Sequence, residues 1–182
     1  MTSALRLSVI LLALALSTLL SGQQANAASA AHVTGGGTGT FGADLDGDGD
    51  IEASQFGFGA VVYADGSATG HFNCLMAGRS DILGLGLMAV EGKITSGSVN
   101  GDTATLSGTA SVLLTRSTLP GVPEGKFTLP FTVTVTAGGP GAGGMSLSVI
   151  GAFDGAPGDV VAANGNYDLA VETVRSGGIR IR

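Results

Sequence analysis

The chain has 182 residues, of which 44% are apolar and 12% charged, with a formal net charge of −6. Eight Lys and Arg against fourteen Asp and Glu exclude a nucleic-acid binder, which needs clustered cations to meet phosphates. The apolar content excludes a disordered chain, and the single cysteine, Cys74, excludes an internal disulfide.

The N-terminus carries an export signal. Arg6 gives a positive start, Leu7 to Leu20 an apolar run, and Ala25-Asn26-Ala27 a small-x-small cleavage site. Residues 1–27 read as a signal peptide, with cleavage after Ala30 as the second choice. The apolar run is shorter than the about 20 residues of a membrane span. Gln23 stands where a lipoprotein box would place its Cys. The expected product is a soluble bacterial protein, secreted or periplasmic and not membrane-embedded. It would form one domain over residues 31–182.

A short first strand, Ala31-His32-Val33-Thr34, enters the run Gly35-Gly36-Gly37. Next comes the densest charge in the chain, Asp44-Leu45-Asp46-Gly47-Asp48-Gly49-Asp50-Ile51-Glu52. Carboxylates this close repel one another unless a counter-ion or full solvation relieves them. A hard cation taking six to eight oxygens is the usual relief. With Asp44 as position 1, Asp46, Asp48, Gly49 and Asp50 fall at positions 3, 5, 6 and 7 of an EF-hand loop, but position 12 is Gln55 rather than Glu. The glycines before the loop make a poor helix, and Phe56-Gly57-Phe58 after it reads as strand. The shorter D-x-D-G-D-G loop of calcium-binding β-proteins fits better, with Glu52 closing the coordination. Asp44, Asp46, Asp48, Asp50 and Glu52 are the expected calcium ligands. The competing reading is a solvated Asp/Gly turn. A single such loop does not build a propeller.

Beyond the loop the apolar period is two. Phe56 to Tyr63 and Ala68 to Met76 flank an Asp65-Gly66 hairpin turn. Phe72, Cys74 and Met76 share one face of the second strand, and His71 and Asn73 share the other. Ala77 to Asp81 reads as a loop, and Ile82 to Ile94 as a long strand with a bend at Glu91-Gly92. Asn100-Gly101 marks a second hairpin, with Thr103 to Thr115 returning. Pro120 and Pro123 take the chain out of the sheet. Lys126 to Thr136 alternates Phe127, Leu129, Phe131, Val133 and Val135 with polar residues. Ala137 to Gly144 reads as a mobile Gly/Pro loop, and Met145 to Ile150 as strand. A long loop, Phe153 to Gly165, follows, then strands Tyr167 to Val171 and Gly178 to Arg182. The expected fold is all-β: an antiparallel sandwich or partly closed barrel of about 8–10 strands. A lipid-embedded barrel is disfavoured, since the chain has no Trp, two Tyr and a terminal Arg182.

In order along the chain, several pieces carry a family resemblance. They are Thr34-Gly35-Gly36-Gly37, Phe56-Gly57-Phe58, Gly70-His71-Phe72, Phe131-Thr132-Val133-Thr134-Val135-Thr136 with its Gly-Pro-Gly loop, and Gly177-Gly178-Ile179-Arg180-Ile181. The chain from Val33 to Arg182 resembles the post-COAP-1 domain, a bacterial exported module, with the acidic loop as a local elaboration. The resemblance implies an all-β exported fold and carries over no catalytic residue.

Candidate chemistry outside the loop is sparse. Cys74 with His32 or His71 would make a nucleophile pair, against a bland reading as a buried small hydrophobe. No serine sits in a G-x-S-x-G elbow. The leading expectation is a non-catalytic, calcium-stabilised module with a structural or surface-interaction role toward a protein or glycan. The alternative is a secreted hydrolase or carbohydrate-active protein using carboxylates such as Asp65, Asp81 or Asp102 in a cleft.

Overall fold

The computed structural model describes residues 29–44, 49, 51–77, 87–115, 124–156 and 158–182. These form nine strands: β1 (Ser29–Thr40), β2 (Glu52–Tyr63), β3 (Ser67–Ala77), β4 (Leu87–Asn100), β5 (Thr103–Thr115), β6 (Gly125–Thr136), β7 (Gly144–Ile150), β8 (Asn166–Asp168) and β9 (Glu172–Ile181). They make one antiparallel sheet in the order β6-β5-β4-β3-β2-β1-β9-β7-β8, and β6 also pairs with β7. The sheet therefore curls until its ends meet in a ring.

Alternation explains why it curls this way. Phe56, Phe58, Ala60 and Val62 on β2, Phe72, Cys74 and Met76 on β3, and Phe131, Val133 and Val135 on β6 are all buried. Most of their neighbours along each strand are polar or glycine and are less buried, with Val61, Leu75 and Pro130 as apolar exceptions on the outer face. Ser107 on β5 meets Thr132 on β6, hydroxyl to hydroxyl at 2.9 Å. With one face apolar and the other hydroxyl-rich, the sheet buries the apolar face by wrapping around it.

Inside, an aromatic ladder runs Phe56, Phe58, Phe72, Phe131, with successive ring centroids 6.2, 6.3 and 5.4 Å apart. The last ring is seated by a glycine. A Cβ on Gly92 would lie 2.5 Å from Phe131 Cε1. Gly92 therefore makes room for a ring rather than the expected bend, and β4 runs on through it to Asn100.

Tight connections gather at one end of the ring: the hairpins at residues 64–66 and 101–102 and the segment 137–143. The first and last strands also meet there, where His32 and Arg182 exchange backbone hydrogen bonds of 2.7 and 3.0 Å. The segment 137–143 is tied rather than loose. Gly141 N donates to Val174 O at 2.9 Å, and Gly138 forms a bridge with Ile179. The connections β1–β2, β3–β4, β5–β6 and β7–β8 all leave from the opposite end. Residues 78–86 and 116–123, with the expected strand start at Ile82 and with Asp81, lie outside the described residues.

Two strands extend further than their sequences suggested. Gly35-Gly36-Gly37 continues β1, because Phe58, Gly57 and Phe56 pair with it on one side and Ile179, Gly178 and Gly177 on the other. Strand β9 begins at Glu172, six residues before the predicted start at Gly178, and passes through Ser176-Gly177 while staying paired with β1.

Candidate functional site at the long-loop end

The acidic loop hangs between two strands. Phe41 N donates to Ile51 O at 2.9 Å, closing the neck, and Glu52 pairs with Thr40 where β2 begins. Asp44 is exposed, and its Oδ2 accepts the Gly49 backbone N–H at 2.9 Å. Asp46, Asp48 and Asp50 lie outside the described residues, as does the side chain of Glu52. Among the described residues no three His, Cys, Asp or Glu side chains gather as metal ligands. The flanks are strands, and Gln55 lies within β2, exposed, paired with Thr38 and Leu75. That is the setting of a β-type loop rather than a helix-flanked one.

Directly beneath the loop stems lies a buried polar cluster. Glu172, the first residue of β9, is 2% exposed, and Ser54, near the start of β2, is 0% exposed. Glu172 Oε2 accepts the Ser54 hydroxyl at 2.6 Å and the Ser54 backbone N–H at 3.1 Å. Strand β1 lies between these two strands, so the glutamate reaches across it. Gly39 leaves the passage open: a Cβ there would sit 2.3 Å from Oε2. The register of β1 on β2 shifts between Thr38 and Thr40, and Ser54 has no Cα partner in that ladder. The carboxylate takes up the backbone N–H that the irregularity releases.

The electrostatics of the cluster are those of a dry site. Burial pushes the Glu172 carboxyl up to about 7, against the opposing pull of the two Ser54 hydrogen bonds. Burial, with Glu172 nearby adding to it, pushes the Cys74 thiol far above its ordinary value, and the Ser54 hydroxyl pulls it back only in part. Cys74 is 2% exposed and stays a thiol. It packs with the interior side chains as the strand pattern of β3 predicts, and it lacks the electropositive setting that activates a cysteine.

The sequence pointed away from Glu172. In Leu169-Ala170-Val171-Glu172-Thr173-Val174, strict alternation from buried Tyr167 and Leu169 puts Val171 inside and Glu172 outside. The chain leaves the strand at residues 169–171, and the phase inverts: Val171 is 63% exposed while Glu172 and Val174 are buried. A valine beside a glutamate at a strand junction is the one signal that could have exposed the slip.

The other expected side chains disperse. His71 and Asn73 are exposed on the outside of β3. They border open troughs of about 490 and 550 Å³ on the outer face, the larger also lined by Thr38, Gln55 and Glu91. His32 is exposed at the tight-hairpin end. Asp65 accepts the Ser67 hydroxyl at 2.6 Å and its N–H at 2.9 Å, which holds its carboxyl below the usual range. Asp65 and Asp102 both belong to turns at the end away from the acidic loop. The 151–165 connection, by contrast, is organised by acids. Asp154 accepts the N–H groups of Ala163 and Gly165 at 2.7 and 2.9 Å, and Asp159 those of Gly155, Val161 and Asp168. These carboxylates are spent on turning the chain.

Scans against protein-family models, curated proteins and solved structures each return no match for this chain.

Proposed function

We propose that the chain is an exported, non-catalytic all-β module of the post-COAP-1 type. Its acidic loop, Asp44, Asp46, Asp48, Asp50 and Glu52, binds calcium and stiffens the end of the ring that meets a protein or glycan partner. The observation that carries this reading is the loop's mounting. It is clipped at its neck by the Phe41–Ile51 bond, bridged by the Gly49 N–H donating to Asp44, and set between two strands rather than two helices. A cation with oxygen ligands relieves the repulsion that such a compact acidic turn stores. The non-catalytic part rests on the interior cluster. The Cys74 thiol is held protonated at 2% exposure, and Ser54, although hydrogen-bonded to Glu172, is 0% exposed, so neither is within a substrate's reach as a nucleophile.

The test is calorimetric titration with calcium of the wild type and two variants. Glu52→Ala removes the ligand that closes a β-type loop and is expected to lose most of the affinity. Gln55→Ala, within β2, is expected to lose little. The reverse ranking would restore an EF-hand-like geometry, and no heat of binding in the wild type would leave a solvated turn.

A further inference from the structure

We infer that Glu172 is a proton-operated latch on the seam where the ring closes, holding β9 to the acidic loop's stems while it carries a proton and loosening them when it is ionised.

The seam is the thinnest part of the sheet. Strand β9 meets β7 in register only at Gly144↔Thr173 and Met145↔Glu172, whereas β5 and β6 share twelve such pairs. On its other side the start of β9 meets the end of β1 through Thr40↔Thr173 and Gly39↔Val174. Glu172 thus sits where three strands converge, and its carboxyl reaches a fourth, β2, at Ser54. One side chain joins both stems of the acidic loop, by contact at Gly39 and by hydrogen bonds at Ser54.

What the carboxyl holds depends on its charge. Protonated, it is a neutral group with its hydrogen bonds made inside an apolar ring, at little cost. Ionised, it is a buried charge. The described side chains that face it are Ser54 on β2, Cys74 on β3 and Met145 on β7, with Gly39 on β1. Of these only Cys74 titrates, and it stays neutral. Among the described residues none supplies a positive charge, and the two Ser54 donors are what compensates the anion. The structure relieves it by letting water in at the seam, which separates the start of β9 from the loop stems. The carboxyl's rise to about 7 places this change near neutrality. The latch acts on the stems' backbone and does not require that the loop bind calcium.

The experiment is amide hydrogen exchange on the full chain in chelator, from pH 5.5 to 8.5, with rates corrected for their intrinsic pH dependence. Ser54 and Val174 report the seam, and Leu106 and Val133 on the far strands serve as reference. With the carboxyl near 7 when latched and at its ordinary 4.5 when open, linkage predicts an about thirtyfold loss of seam protection across that range. The reference amides are expected to change less. In Glu172→Gln the seam profile is expected to be flat. Flat protection in the wild type, or the same fall in Glu172→Gln, overturns the latch. Should Glu172→Gln fail to fold, Ser54→Ala decides. Losing a hydrogen bond that favours the anion moves the midpoint upward, and an unmoved midpoint overturns the assignment.

Discussion

Gly92→Ala tests the interior of the ring where a glycine seats the end of the aromatic ladder. The added methyl would lie 2.5 and 2.6 Å from Phe131 Cε1 and Cζ, against the about 3.5–4.0 Å of a relaxed carbon contact. The overlap is about 1 Å, and the ring it strikes is 1% exposed and stacked on Phe72. Overpacking of this kind costs about 1–3 kcal/mol. Replacing glycine within a strand returns about 0.5–1 kcal/mol of that through backbone entropy. The expected net loss runs up to about 2.5 kcal/mol, which lowers the melting temperature by up to roughly 10 °C for a domain of this size. Urea unfolding followed by circular dichroism reads it as a lower midpoint at unchanged slope. Gly59→Ala is the control. Its Cβ meets nothing within 4 Å and its backbone is of ordinary conformation, so it should be neutral or stabilising by up to about 1 kcal/mol. Phe131→Leu removes the struck ring atoms, so the double variant should lose less than the sum of the single losses. Gly92→Ala as stable as the Gly59→Ala control, or strict additivity in the cycle, would refute the seating of Phe131 against Gly92.

Two further outcomes follow from the described interior and from the proposed export. Cys74 is expected to resist a thiol reagent in the folded protein at pH 7 and to react once denaturant is added; rapid labelling without denaturant would remove it from the core. Exported material is expected to begin at Ala28, which leaves β1 whole, with Ala31 as the alternative start; mass spectrometry showing an intact Met1 on exported protein would end the signal-peptide reading.

The strand pattern was legible because β2, β3 and β6 keep a period of two around an apolar interior, whereas β4 loses phase at the irregularity between Ile94 and Ser96 and β9 between Val174 and Ile179. Phe72, Cys74 and Met76, and Phe131, Val133 and Val135, lie inside as their spacing predicts. A partly closed barrel was among the expected folds, but which strands close it was not legible. The closure depends on β9 pairing with both β1 and β7, and Gly35-Gly36-Gly37 and Ser176-Gly177 look like breaks until a partner on each side is known. The buried site was hidden for a sharper reason. Alternation gives the face of a residue only while the strand is unbroken, and the interruption before Glu172 reverses it. Ser54 is in phase with Phe56 and Phe58, which places it inside, but its partner was hidden, since its role comes from a register shift at Thr38 to Thr40 on the neighbouring strand. The acidic loop was the reverse case. Its charge spacing was plain in the sequence, and of its proposed ligands Asp44 is the one whose side chain falls among the described residues.

The calcium reading is tested most directly by thermal melting of the exported protein with calcium, with magnesium and with chelator. Binding to the folded form alone stabilises by about 2.7 kcal/mol at a hundredfold excess over the dissociation constant. Sites on extracellular modules fill at about 10⁻⁴–10⁻³ M. Calcium at tens of millimolar is therefore expected to raise the melting temperature by roughly 5–10 °C over chelator. Magnesium is expected to do less, because it keeps its waters and prefers a smaller octahedral site. Identical melting in all three conditions would contradict calcium binding by the loop.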